Sequence, residues 1–207
     1  MQLQRSSLFS LLIVCGLILV TGCAKYRPKP LPEIFEHTNA AETSKSDLSV
    51  YAYELTAQES QTFFSRNAPR KGYHPVHLSI KNNSKKSFML RGSKIDLVME
   101  QRYVMIDVLK IDVMHRVMSW GLPGLIFGVL LIPAVVEGLC GSAANRKMRA
   151  DFERRVIDSY STCIIKPGCI FSCVFFLCGE NWNSTFNITL EDLDTKTDHV
   201  VNVHIER

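Results

Sequence analysis

The chain has 207 residues, with 24 Lys and Arg against 20 Asp and Glu and a net charge of +4. That length suits one domain with tails or with an insertion. So mild a positive excess, with no basic block interleaved with aromatics, excludes a nucleic-acid binder.

Residues 1–7 carry a single charge, Arg5, and an apolar run follows that ends at Val20-Thr21-Gly22-Cys23. The run is too short to cross a hydrocarbon core of roughly 30 Å as a helix. A basic start, a short apolar stretch and small residues before a break have the layout of a secretory signal peptide, residues 1–22. Val20-Thr21-Gly22-Cys23 resembles the lipobox of bacterial lipoproteins: an aliphatic residue, two small or β-branched ones, then cysteine. The resemblance covers only the start of the chain. It implies cleavage between Gly22 and Cys23, a diacylglyceryl group on the Cys23 thiol, and an acyl chain such as palmitate on the new amino group. Several chains on one residue hold a protein at a bilayer where a single chain holds it only marginally. In enteric bacteria an Asp after the lipidated cysteine retains such proteins at the inner membrane. Ala24 does not match that signal, so the resemblance implies the outer membrane of the cell envelope, with the body outside the cytoplasm.

Residues 23–49 form a tether. Pro28, Pro30 and Pro32 alternate there, which favours extended polyproline II, and the following AAETSKSD is polar and aperiodic. Residues 50–207 are expected to form a single β-rich domain. Tyr51 and Tyr53 belong to a first strand, and Thr56 with Glu59 has capping-box spacing that leads a short helix over residues 60–64. Val76, Leu78 and Ile80 alternate with His77, Ser79 and Lys81. Asn82-Asn83-Ser84 turns the chain, residues 88–90 resume a strand, and another runs through Ile95, Leu97 and Met99. Residues 101–116 suit a strand or a helix equally.

Residues 117–136 carry no charge, a length that spans a bilayer as a helix. Gly121, Gly124, Gly128, Pro123 and Pro133 equally permit a re-entrant or buried hairpin. Trp120, Phe127 and Leu130 are the candidates for membrane contact. Ala144, Met148, Phe152, Val156 and Tyr160 recur every four residues and predict an amphipathic helix over residues 143–160. Its basic residues, Arg146 to Arg155, suit solvent or an anionic bilayer. The strongly apolar strand over residues 167–179 and alternating strands at residues 185–190 and 201–205 complete the chain. Strands lie on both sides of residues 117–136, so a single crossing would put one sheet in two compartments. The expected fold is therefore mainly β, an antiparallel, immunoglobulin-like sandwich with a hydrophobic insert at residues 117–140.

Candidate chemistry is sparse. Cys140, Cys163, Cys169, Cys173 and Cys178 remain after the signal and Cys23 are set aside. Export makes a disulfide among Cys163, Cys169, Cys173 and Cys178 feasible, and five thiols leave at least one without an intramolecular partner. Their C-x5-C-x3-C-x4-C spacing is not that of a zinc site. None of the six histidines forms an HxH or HExxH pair, and no GxSxG or phosphate loop occurs. Glu191, Asp192 and Asp194 form an acidic turn. The expected function is a non-catalytic binding or structural lipoprotein that needs no cofactor or metal. Its expected partners are membrane lipid, through Cys23, and an envelope protein. Two other readings stay open: a membrane-inserting or transport-accessory protein using residues 117–155, and a surface enzyme without a motif.

Overall fold

The structure, a computed structural model, describes residues 25–32, 41–45, 48–126, 128 and 131–205. Gly22, Cys23, Ala24, His37, Phe127 and Leu130 lie outside the described residues. The chain divides into two compact units. Of the described residues, one unit, the body, holds those from 27 to 109 and from 150 to 205; the other holds those from 110 to 149 together with Lys25 and Tyr26.

The body contains two four-stranded antiparallel sheets. The first has the order β1 (Ala41–Lys45), β2 (Leu48–Glu54), β3 (Tyr73–Asn82), β6 (Ile170–Cys178). The second has the order β5 (Thr162–Ile165), β4 (Phe88–Ile95), β7 (Thr185–Asp192), β8 (Asp198–His204). Alternation decides which side chains turn inward. Val76, Leu78 and Ile80 on β3 join Val50 and Ala52 on β2 and Cys173 and Phe175 on β6. Phe88, Leu90, Ile188, Leu190, Val201 and Val203 of the second sheet belong to the same cluster. Each Val, Leu, Ile or Phe among them contributes about 1.5–3 kcal/mol by leaving water.

From Cys173 to Leu177 strand β6 does not alternate, because both of its faces are buried there. Phe175 points into the shared core, where its ring meets Phe186 edge-on at 5.9 Å. Phe176 points the other way and stacks on Phe152 at 5.9 Å, with Phe64 5.7 Å away. Phe64 ends helix α1 (Ala57–Phe64), whose start is the capping box read from Thr56 and Glu59: the Thr56 hydroxyl accepts from the Glu59 N–H, and the Glu59 carboxylate accepts from the Thr56 N–H at 2.8 Å.

Helices α2 (Arg102–Leu109), α3 (Val113–Ile126) and α4 (Leu131–Arg155) all fall between β4 and β5. The chain leaves and re-enters the sheets at one place. The Glu100 N–H donates to the Phe176 carbonyl at 2.8 Å and the Ile157 N–H to the Val174 carbonyl at 2.9 Å. These two segments cover the edge of β6, which would otherwise offer unpaired backbone to another chain. Asp158 fastens the junction, accepting from the Ser161 hydroxyl at 2.8 Å and the Tyr160 N–H at 3.2 Å, with Arg102 beside it. Burial opposes ionisation of Asp158, but these donors and the Arg102 charge outweigh it and hold the carboxyl below its ordinary range. Gly92 is required here, because a Cβ on it would lie 1.8 Å from the Asp158 carbonyl oxygen.

The second unit is an antiparallel helical hairpin. The Asn145 side chain accepts from the Ile111 N–H at 2.8 Å and donates to the Ile111 carbonyl at 3.0 Å. Arg116 pairs with Glu137 at 3.1 Å. Gly138 and Gly141 let the helices close: a Cβ on them would lie 3.2 Å from Val117 and 2.9 Å from Val113.

Several expectations change. Helix and strand have nearly equal shares of the described residues, so the fold is mixed rather than mainly β with one helix. The ambiguous residues 101–116 are helical at Arg102–Leu109 and from Val113. The predicted helix at 143–160 is the second half of α4, which starts at Leu131 and stops at Arg155. Tyr160 therefore leaves the apolar stripe and is 79 % exposed. The strand expected at residues 88–90 runs on to Ile95, with a register shift between Leu90 and Ile95. The strand expected through Ile95, Leu97 and Met99 is not formed beyond Ile95 except for a single bridge from Met99 to Leu177. Part of the stretch read as a tether is built into the body: Ala41–Lys45 pairs with β2, and the Lys29 N–H bonds the Thr62 carbonyl. Among the described residues, no helix is long and apolar enough to cross a membrane.

Candidate functional site

One end of the body gathers polar groups from several loops. Glu54 closes β2, His74 opens β3, and the turn at residues 179–183 follows β6. His74 Nδ1 lies 2.5 Å from the Glu54 carboxylate. The imidazole packs against Trp182, ring centroids 4.9 Å apart. A carboxylate on one ring nitrogen is how a general base is oriented. Here, however, the other nitrogen faces Gly179, whose Cβ would lie 3.6 Å from it. The group is a clamp that ties three segments together, since Trp182 packs in turn against the core.

Nearby, Ile95, Asp96, Leu97, Val98, Asn181 and Asn183 line a cavity of about 330 Å³. Its walls are apolar at Ile95 and Leu97 and polar at Asp96, Asn181 and Asn183, with Val98 67 % exposed. The Asn183 side-chain oxygen accepts from the Thr185 N–H at 3.1 Å. That bond fixes the amide and leaves its nitrogen as a donor. The lining supplies a carboxylate, amide donors and apolar contact, a combination that can hold a small polar ligand.

A second pair lies on the outer face of the first sheet. His77 is fully buried and its Nε2 sits 2.5 Å from the hydroxyl of exposed Ser172. A serine so close to an imidazole is the start of a nucleophile–base pair. Ser172 lies mid-strand, opposite Ser79, with its backbone in the ladder, and the ring of Tyr53 covers His77 edge-on at 5.2 Å. Burial pushes the Tyr53 hydroxyl pKa up, and the Glu59 charge adds to it. This pair packs one face of the first sheet.

Cys163, Cys169, Cys173 and Cys178, the candidates for a disulfide, are free thiols in this structure. Cys169 is exposed because it precedes β6, whereas Cys173 is buried. Burial pushes the Cys173 thiol well above its ordinary pKa, with the nearby Cys163 adding, so it behaves as a small apolar residue. The acidic turn is also internally satisfied. Asp192 is buried, 2.7 Å from Lys86 Nζ, and accepts from the N–H groups of Asp194 and Thr195; Glu191 pairs with Arg91 at 3.0 Å. The Lys86 bond, assisted by those of Thr195 and Asp194 and opposed by burial, holds the Asp192 carboxyl far below the usual range. No group of histidine, cysteine or acidic side chains among the described residues has the layout of a metal site. Of the expected membrane contacts, Trp120 is half-buried on α3.

The His74–Glu54–Trp182 clamp and the loop-end cavity were not foreseen from the sequence. Their residues are scattered over more than a hundred positions, and no local pattern joins them. The chain matches no protein-family model, no curated protein and no solved structure at a significant level.

Proposed function

We propose that the chain is a lipid-anchored protein of the bacterial envelope whose β body is a non-catalytic binding module for another envelope component. The observation that carries this reading is Val20-Thr21-Gly22-Cys23 directly after a short apolar run. The body fits the role. With β1 set aside, strands β2 to β8 take the letters A, B, C, C′, E, F and G. The sheets then read A-B-E and C′-C-F-G, an immunoglobulin-like order with a strand added beside C. The inter-sheet disulfide of antibody domains has no counterpart. Loops at the ends of such sandwiches are where partners are gripped, and the cavity beside Asp96, Asn181 and Asn183 lies at such an end.

Mass spectrometry of the mature N-terminus, with membrane fractionation of wild type and Cys23→Ser, tests the placement. The expected product begins at an acylated Cys23, and the variant leaves the membrane pellet or stays unprocessed. An unmodified N-terminus at Cys23, or a chain retaining Met1, overturns the anchor. Photo-crosslinkers at Val98 and Asn183 should trap one envelope protein that a crosslinker at Thr195 does not. Equal trapping at all three positions overturns the loop-end assignment.

A further inference from the structure

We propose that the α3–α4 hairpin inserts its charge-free end into one leaflet of an anionic bilayer. This stands apart from the lipid on Cys23. Apolar side chains on both arms face outward: Met114, Met118, Leu122 and Leu125 on α3, and Ile132, Val135 and Leu139 on α4, all between 48 % and 78 % exposed. Soluble proteins rarely leave such a contiguous patch in water. Between the arms runs an apolar groove of about 570 Å³, lined by residues such as Val117, Ala134 and Val135, with Ser142 at one end.

Three features select lipid over a second copy of the chain. First, charge is sorted along the hairpin. Residues 117–136 have none, while Lys110, Arg116, Arg146, Lys147 and Arg149 all lie where the chain enters and leaves it, against only two carboxylates, Asp112 and Glu137. Glu137 is neutralised by Arg116 at 3.1 Å. Of the cations, Lys110 and the exposed Arg146, Lys147 and Arg149 sit at the base of the hairpin, from which their charge attracts an anionic membrane surface. Second, the hydroxyl in the charge-free stretch is already satisfied, since Ser119 donates to the Arg116 carbonyl at 2.8 Å. A hydroxyl bonded within its own helix needs no water, which hydrocarbon demands. Third, the length fits. Val117 to Ile126 is about 15 Å of helix at 1.5 Å per residue, half of a core roughly 30 Å thick. Trp120, one turn beyond Arg116, then reaches the headgroup boundary, where tryptophan is favoured.

The test uses the full chain carrying Cys23→Ser, with and without Trp120→Phe, so that the difference in emission reports Trp120 and leaves Trp182 untouched. Both chains lack the lipid and keep the same N-terminus, so any binding through that end is common to them, and the depth of Trp120 reports the hairpin itself. Vesicles of phosphatidylethanolamine and phosphatidylglycerol should shift the Trp120 emission to the blue. Bromines near the top of the acyl chains should quench it more than bromines at the bilayer centre. Leu122→Asp with Leu125→Asp, both at exposed positions, should lower partition at least about tenfold with an unchanged far-UV spectrum. Arg146→Gln with Lys147→Gln should weaken binding to these vesicles and abolish their advantage over phosphatidylcholine. Trp120 emission that does not respond to any vesicle overturns the proposal. So does concentration-dependent dimerisation, suppressed by the Leu122→Asp and Leu125→Asp changes, in a chain that ignores lipid. Equal partition into phosphatidylcholine by the unaltered hairpin overturns the anionic assignment.

Discussion

The body and the hairpin are both rich in large apolar side chains and place them differently. In the body Phe175, Phe176, Leu78 and Ile80 are fully buried, whereas in the hairpin Leu122, Leu125, Val135 and Leu139 are exposed. Strand alternation lets one sheet hide its apolar face against another, and helix α1 and the end of α4 hide the second face of β6. The two arms of the hairpin meet through small residues, Gly138 and Gly141. Small interfacial residues let helices approach closely but leave the large side chains on the outside. Apolar content in the body is therefore a statement about stability, and in the hairpin a statement about surroundings.

Truncation in the core should expose this contrast most strongly. Phe175→Ala removes a fully buried ring that meets Phe186 and should cost about 3–5 kcal/mol in denaturant unfolding. Next comes the junction. Gly92→Ala sets a methyl against the Asp158 carbonyl, backbone against backbone, so neither side yields without breaking the Asp158–Ser161 turn. Its expected cost is about 3 kcal/mol, read as a fall in Tm. A near-neutral Gly92→Ala would mean that the junction is looser than its hydrogen bonds imply.

Acid should weaken the body through Asp192. Its pKa in the folded chain lies below the unfolded value of about 3.9, so the folded state binds fewer protons. The stabilisation is present above that unfolded value and is lost as pH falls toward the folded one. Wild type should therefore lose Tm steadily below about pH 4, and Asp192→Asn should flatten that part of the curve. Asp158 acts in the same direction, so some acid dependence should survive in the variant.

Much of the body was legible where apolar and polar residues alternate along a strand in the sequence. Val76, Leu78 and Ile80 declare β3, and Ile188 and Leu190 declare β7. Thr56 and Glu59 declare a helix start through local hydrogen bonds that need no tertiary context. Strand β5 was missed because four residues, Thr162–Ile165, are too few to establish a period. The first half of α4 was hidden because a charge-free run reads equally as a span, a re-entrant turn or a core hairpin. What decides among these is Asn145 reaching Ile111 and the glycine contacts, all long-range. Pro133, read as a bend, lies in the first turn of α4, where its missing N–H has no helical partner to lose. The loop-end site was illegible for a related reason. Glu54 and His74 meet because β2 and β3 pair with Glu54 opposite Val76, and nothing local to either residue encodes that register.

Within the hairpin, Asn145→Ala removes two bonds to the Ile111 backbone and should cost about 1–2 kcal/mol. Because these bonds belong to the unit of residues 110–149, the loss should appear as faster amide exchange there. Protection of β3 and β6 should change less.

The smallest effect on stability is the sharpest test of the contrast. Leu125 is 78 % exposed, so Leu125→Ser in water should leave unfolding within about 0.5 kcal/mol of wild type. A core leucine cut back in the same way would cost several times more. If Leu125→Ser instead destabilises the chain by more than about 1 kcal/mol, the stripe is covered by the protein itself. The hairpin would then obey the same rule as the sheets. If stability is unchanged, the leucine is retained at a position where folding does not need it, and its role lies in what the hairpin touches outside the chain.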